Sequence, residues 1–291
     1  MQKNNFALQQ NIGSKMAFNT IVQVAASFIT SLIGLVITIN IVRNLKVDNF
    51  GIYTFVLVFI NLFRSLMYLV AEPIGVQSIA VENKEKASLF MGNVLIIKSF
   101  LSLVTILIAV FTINLLGYPA INRTLVYIGC LFFISSIFSS SIIILQANLK
   151  LVYDAVADVL CSIIYLFWIV ISFKLGKGLV AVIWGWVICD MLRWLSVFFA
   201  SYQILKPSFV IDIKLWQDIF KKSFPIWLAS IFVAMYLHMD TLMLSKIKDN
   251  YAVGIYGAAF RIINFLIIFP QAISISAFPW LARLYVFDKE R

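Results

Sequence analysis

Eight apolar runs follow one another along this sequence, at 17–42, 51–71, 89–116, 124–146, 156–175, 179–200, 223–245 and 253–276. Each is long enough to cross about 30 Å of hydrocarbon. In lipid, every backbone N–H and C=O must find its partner inside the protein, which leaves only helices and closed barrels. The runs are continuous rather than alternating, so they predict helices. Composition agrees: 62% of the residues are hydrophobic, 12% are charged, and mean hydropathy is +0.98. A soluble domain is about half apolar and about a quarter charged. The expected fold class is therefore all-α, a polytopic transmembrane bundle of about eight helices.

The net charge of +10 raises the question of a nucleic-acid partner. The Lys and Arg residues argue against one, because they gather in short loops between the apolar runs, where they fix orientation. With the N-terminus cytoplasmic, the inner side holds 13 Lys and Arg against 7 outside. That bias predicts a cytoplasmic N-terminus. Cys130, Cys161 and Cys189 fall inside apolar runs without metal-ligand spacing and read as buried reduced thiols. The first run is too long for a signal-peptide core and reads as a retained membrane helix.

Between the sixth and seventh runs the pattern changes. Leu215, Trp216, Ile219 and Phe220 recur at helical spacing, with Lys214, Asp218, Lys221 and Lys222 on the other side. Such a stretch reads as an amphipathic helix lying on the cytoplasmic surface, or more plainly as an ordered loop. The expected organisation is a six-helix bundle over 1–205, an amphipathic linker helix over 206–222, and a partial second bundle over 223–291.

An internal repeat supports that division. Shifted by 203 residues, Thr38 falls on Thr241, Gly51-Ile52-Tyr53 on Gly254-Ile255-Tyr256, and Ile60-Asn61 on Ile263-Asn264. Basic Arg43 falls on basic Lys246. Helices one and two therefore match helices seven and eight, with an even number of helices between the copies. This is a parallel repeat, one of the arrangements on which transporters are built. A six-helix unit would leave the second copy incomplete at Arg291.

The same turns carry a resemblance. Arg43-Asn44-Leu45 followed by Phe50-Gly51-Ile52-Tyr53, then Ser223-Phe224-Pro225, Asp240 and Gly254-Ile255-Tyr256-Gly257-Ala258, resemble the bacterial polysaccharide-biosynthesis flippases. These are exporters of O-antigen and capsule repeat units. Their superfamily also holds the multidrug and toxic-compound extruders and the lipid II flippase. The resemblance covers essentially the whole chain. Lys46 departs from it, because the first turn usually has Gly. Length departs too, since members usually have twelve or fourteen helices, so the chain reads as C-terminally truncated. The resemblance implies a bacterial inner-membrane location and alternating access by rocking of two halves. It implies a lipid-linked oligosaccharide on polyprenyl pyrophosphate as the partner, and a polysaccharide polymerase as a further one.

Charged residues at membrane depth are the candidate functional residues, because each costs about 2.5–3.5 kcal/mol to insert on translocon scales. Arg64 and Arg261 have two readings each: a cationic contact for a phosphate in a central cavity, or a side chain snorkelling to the interface. Lys98 reads as a contact for an anionic headgroup on the inner side, or again as a snorkelling lysine. Asp190 and Arg193 are three residues apart on one helical face and read as a mutually neutralising pair, or as a gating or coupling element. Asp240 and His238 do not share a face; they read as solvated or hydrogen-bonded residues, or as gating or coupling groups. Gln23, Asn61 and Asn264 read as hydrogen-bonding glue between helices.

The sequence shows no P-loop, no carboxylate cluster and no cysteine–histidine pairing, so no nucleophile-and-base set, metal site or cofactor is expected. The expected function is flipping of lipid-linked repeat units. Three alternatives stand beside it: a drug or small-cation antiporter, a membrane enzyme of glycan assembly, and a non-transporting remnant.

Overall fold

The computed structural model describes residues 2–70, 72–263 and 266–267. Among them every regular element is helical. The first, α1 (Gln2–Arg64), is followed by a 3-10 turn at Ser65–Leu69. Next come α2 (Glu72–Val81) and α3 (Lys84–Leu115). A broken fourth span contains α4 (Ala120–Cys130), α5 (Phe132–Phe138), a 3-10 turn at Ser139–Ser141, and α6 (Ile142–Ala147). Then come α7 (Val152–Lys174), α8 (Leu179–Tyr202), α9 (Ile213–Ile247) and α10 over 250–263.

The chain is a transmembrane helix bundle, as its hydropathy requires. Among the described residues six stretches are long and apolar enough to cross a membrane, and the first of these, Phe18–Val81, holds the first two apolar runs. Those runs are separate spans, because α1 breaks at Lys46 (φ 63, ψ 166). A straight helix would hold Ser31 and Arg64 about 50 Å apart. Both line one cavity of about 510 Å³, so the chain turns back at Lys46. The eighth run is α10; its residues 264–265 and 268–276, Asn264 among them, lie outside the described residues.

Serines explain the break in the fourth span. Ser135 and Ser136 donate to the Phe132 carbonyl, Ser139 to that of Ser136, and Ser140 to that of Ile137. Such back-bonding competes with the helical ladder and bends it. Large apolar side chains such as Phe111, Phe167 and Phe199 point outward from the bundle, as a lipid-facing surface requires. The core lies between helices, with Phe50, Phe55, Phe59 and Phe133 fully buried.

The stretch 206–222 differs from the surface helix expected. Residues 205–212 have no regular structure, and from Ile213 the chain already belongs to α9, which continues past Pro225. The apolar side read as membrane-facing instead packs on protein: Ile219 is buried, and Leu215 and Trp216 pack against the cluster around Met91 and Leu95. Buried Asn93 ties the strap to α3. Its amide donates to the carbonyls of Leu89 and Val210, and its oxygen accepts from Asp212 N and Trp216 Nε1. Asp212 then caps α9 by accepting from Lys214 N at 3.0 Å and Leu215 N at 3.2 Å.

The repeat is also visible in space. A methyl group on Gly51 would collide with the Asn250 carbonyl, and one on Gly254 with the Val47 carbonyl. Both residue pairs are related by the 203-residue shift, so each copy presents the same glycine to the same carbonyl of the other. Beside this contact, the Tyr118 hydroxyl lies 2.7 Å from Ser245 Oγ and its ring 4.4 Å from the Lys246 ammonium. Lys246 also donates to the Leu116 carbonyl. Burial raises the Tyr118 phenol above its ordinary value, and the Ser245 hydrogen bond opposes that shift in part. The phenol therefore stays neutral and able to donate.

Candidate binding cavity

The cavity of about 510 Å³ lies between the two copies of the repeat. Its wall is built from equivalent positions: Gly34 and Leu237, Leu35 and His238, Thr38 and Thr241, Thr54 and Gly257, Leu57 and Phe260, Val58 and Arg261. Each pair is 203 residues apart. Asn61 and Arg64 extend the first copy's row, and Phe132, Trp186, Asp190, Arg193 and Trp194 supply a further side from the six-helix bundle.

Arg64 and Arg261 thus face a common space. Arg64 sits at the last position of α1, where the helix gives way to the 3-10 turn. Its guanidinium lies 5.0 Å from the Phe132 ring and 5.9 Å from that of Tyr68. Phe132 is in turn stacked on Trp186, with centroids 4.7 Å apart. Arg261 lies 5.8 Å from the Tyr53 ring. A guanidinium held over an aromatic face is positioned through its plane, which leaves its N–H edges for other partners. Neither arginine forms an ion pair among the described residues.

Asp190 and Arg193 form no direct ion pair, although Arg193 and Arg64 both act on Asp190 through space. Asp190 accepts from the Ser135 hydroxyl. Arg193 reaches across to α7 instead, with NH2 3.1 Å from Asp154 Oδ1 and NH1 2.6 Å from Asp158 Oδ1. A shared helical face is necessary for a pair at this spacing, but α7 offers Arg193 two carboxylates one turn apart, and the broken fourth span offers Asp190 a hydroxyl. Asp154 and Asp158 are functional candidates that the sequence reading passed over. Two carboxylates four residues apart, Asp158 inside the fifth apolar run and Asp154 just before it, are the signal that marks them. Gln23 supports Asp154, with Nε2 3.4 Å from Oδ2, and also donates to the Leu151 carbonyl. That is the bridging role expected of it. Asn61 instead donates to Leu57 in its own helix.

The other candidates separate. His238 lines the cavity; Asp240 does not. Asp240 accepts from the Tyr256 hydroxyl and from Thr241 N at 2.6 Å, linking α9 to α10. Lys98 also lies outside the cavity wall. It is 6% exposed, with Nζ 3.5 Å from Ser139 Oγ. Neither a direct contact in this cavity nor a snorkelled ammonium describes it, because α3 packs that face against the serine-rich break. No group of three or more His, Cys, Asp or Glu side chains placed to hold a metal ion lies among the described residues.

The profile of a family described as polysaccharide biosynthesis protein matches residues 16–285. The chain belongs to that family. No curated protein sequence matches it. Among solved structures, the MATE multidrug transporter DinF-BH is similar at TM-score 0.64 and 16% identity, over 91% of this chain and 64% of that one. The lipid II flippase MurJ, in an inward closed conformation, is similar at TM-score 0.62 and 18% identity, over 81% of this chain and 54% of that one. A MOP superfamily transporter from Pyrococcus furiosus, described as having a binding pocket of reversed polarity, is similar at TM-score 0.60 and 16% identity. It is covered over 62% of its length by 89% of this chain. At these identities the likeness is one of fold. The chain spans less than two thirds of the length of each.

Proposed function

We propose that this protein takes part in flipping lipid-linked oligosaccharide repeat units, carried on polyprenyl pyrophosphate, across the bacterial inner membrane for O-antigen or capsule assembly. The observation that carries the reading is the pair Arg64 and Arg261, which line one cavity and form no ion pair among the described residues, with Asp190 of the same wall acting on Arg64 only from beyond ion-pair distance. Unneutralised guanidiniums at membrane depth are costly, and an anionic ligand offsets that cost. A diphosphate fits the planar fork of each arginine and loses less on leaving water when charge-assisted hydrogen bonds replace its hydration. Lys98, set behind the wall, adds to the positive potential.

In this reading the headgroup crosses through the cavity while the prenyl chain stays in the bilayer, and the two halves rock about the Gly51–Gly254 contact. The protein is a carrier rather than an enzyme, with its N-terminus cytoplasmic and a polysaccharide polymerase downstream. With Arg193 held by Asp154 and Asp158, the cavity wall keeps two arginines outside ion pairs, Arg64 and Arg261, against the single aspartate Asp190, which disfavours a cation antiporter, whose pocket would need the opposite balance.

The test replaces both Arg64 and Arg261 by Ala in the native gene context. Surface polysaccharide is expected to disappear while the protein remains at its normal level in the membrane. Undiminished polysaccharide would overturn the assigned roles.

A further inference from the structure

Arg193 is a cavity arginine whose charge is already spoken for. Its NH1 and NH2 are held by Asp158 and Asp154, yet the residue lines the same cavity as Arg64 and Arg261. Its guanidinium lies 4.7 Å from the Trp194 ring, and its buried Nε has no acceptor among the described residues. A guanidinium carries five N–H donors, and here a buried one is left over beside an open cavity.

The two carboxylates are unequal. The Asp154 side chain is 6% exposed and also accepts from Gln23, whereas that of Asp158 is 26% exposed. Stripping a guanidinium from a nearly dry carboxylate is strongly unfavourable. Releasing one that still touches water is much less so. The Arg193–Asp158 contact is therefore the one that can open, while Asp154 and Gln23 keep hold of the arginine's other end. A diphosphate carries more charge than a single carboxylate and so outbids it for the guanidinium at comparable distance.

Building on the reading of the cavity as an anion site, we propose that Arg193 is a third ligand contact held in reserve. Asp158 occupies it in the empty cavity, and a diphosphate-bearing ligand takes it over, with Asp154 as the pivot. Asp158 then acts as a positioning residue that sets selectivity. Both ligands carry more charge than the carboxylate, and the diphosphate, with the larger charge over two phosphoryl groups, gains the third contact more fully than a prenyl monophosphate.

The test measures binding of geranylgeranyl diphosphate and geranylgeranyl monophosphate to the full chain in lipid nanodiscs. Asp158→Asn removes the competitor and is expected to tighten monophosphate binding about fivefold or more. Diphosphate binding should tighten as well, but by a smaller factor. Arg193→Gln should weaken diphosphate binding by a larger factor than monophosphate binding. The double variant Asp158→Asn/Arg193→Gln should bind no more tightly than Arg193→Gln alone, because the gain requires the arginine. Asp158→Ser provides the same comparison should the Asn variant fail to accumulate. Unchanged or weaker monophosphate binding in the Asp158 variants, with Arg64→Ala still weakening diphosphate binding, overturns the exchange and leaves the anion site standing. Diphosphate binding that is indifferent to Arg64→Ala and Arg261→Ala overturns both.

Discussion

Val58 in the first copy of the repeat and Arg261 in the second occupy equivalent places on the cavity wall. Leu35 and His238 are a second such pair, and Thr38 and Thr241 a third in which nothing has changed. The first copy brings its own cation from Arg64, six residues further along the helix and so about 9 Å deeper. The position equivalent to Arg64 is Ile267, which is 41% exposed. The shared backbone thus fixes which positions can reach the cavity, and the chemistry placed there differs between copies. The result is two guanidiniums at staggered depths rather than a symmetric pair. A staggered pair suits a headgroup that must be passed along a path.

The largest expected effect comes from moving the cation between copies. Arg261→Val should weaken diphosphate binding by about 2 kcal/mol, the size of a charge-assisted hydrogen bond. Adding Val58→Arg should restore much of that loss if positions 58 and 261 are equivalent in space. Binding assays on the single and double variants check this, and a double variant no better than Arg261→Val would break the comparison.

The contact between the copies makes the next prediction. Gly51→Ala and Gly254→Ala each place a methyl group against a carbonyl of the other copy. Each should lower stability by about 2 kcal/mol through overpacking, and by similar amounts. Thermal melts in detergent would show this, and strongly unequal losses would argue against two-fold equivalence.

The smallest effect concerns the turns. In the first copy the chain turns through Lys46 at φ 63, where an L side chain is strained. In the second, Lys248 has φ −117, and Asp249 caps the next helix by accepting from Ala252 N at 2.9 Å. Lys46→Gly should therefore raise stability by about 1 kcal/mol, whereas Lys248→Gly should not. A melting temperature unchanged by Lys46→Gly would show that the strain is absorbed elsewhere.

Much of the fold was legible because lipid imposes one rule on every backbone group. Length and hydropathy alone located the spans, and six matching residues located the repeat. The site was legible in part. Arg64, Arg261 and His238 stood out as polar groups in apolar runs, and the structure gathers all three at one cavity. The direct ion-pair partners of Arg193 were not legible, because sequence spacing reports only neighbours on the same helix. Asp154 and Asp158, 39 and 35 residues before Arg193 in the chain, come within reach only when α7 packs along α8. The strap at 205–212 was likewise invisible. An amphipathic stretch looks the same whether its apolar side meets lipid or the side chains of α3.

That this chain crosses a membrane as helices, that two parts of it share a pattern, and that a few costly charges lie at depth can all be read from the amino-acid order. Those properties follow from local hydropathy and period, which each residue carries with it. Which charges form ion pairs and which face an open cavity is set by how the helices pack. That outcome depends on distances of a few ångströms between helices far apart in the chain, and electrostatic partners are chosen at that scale.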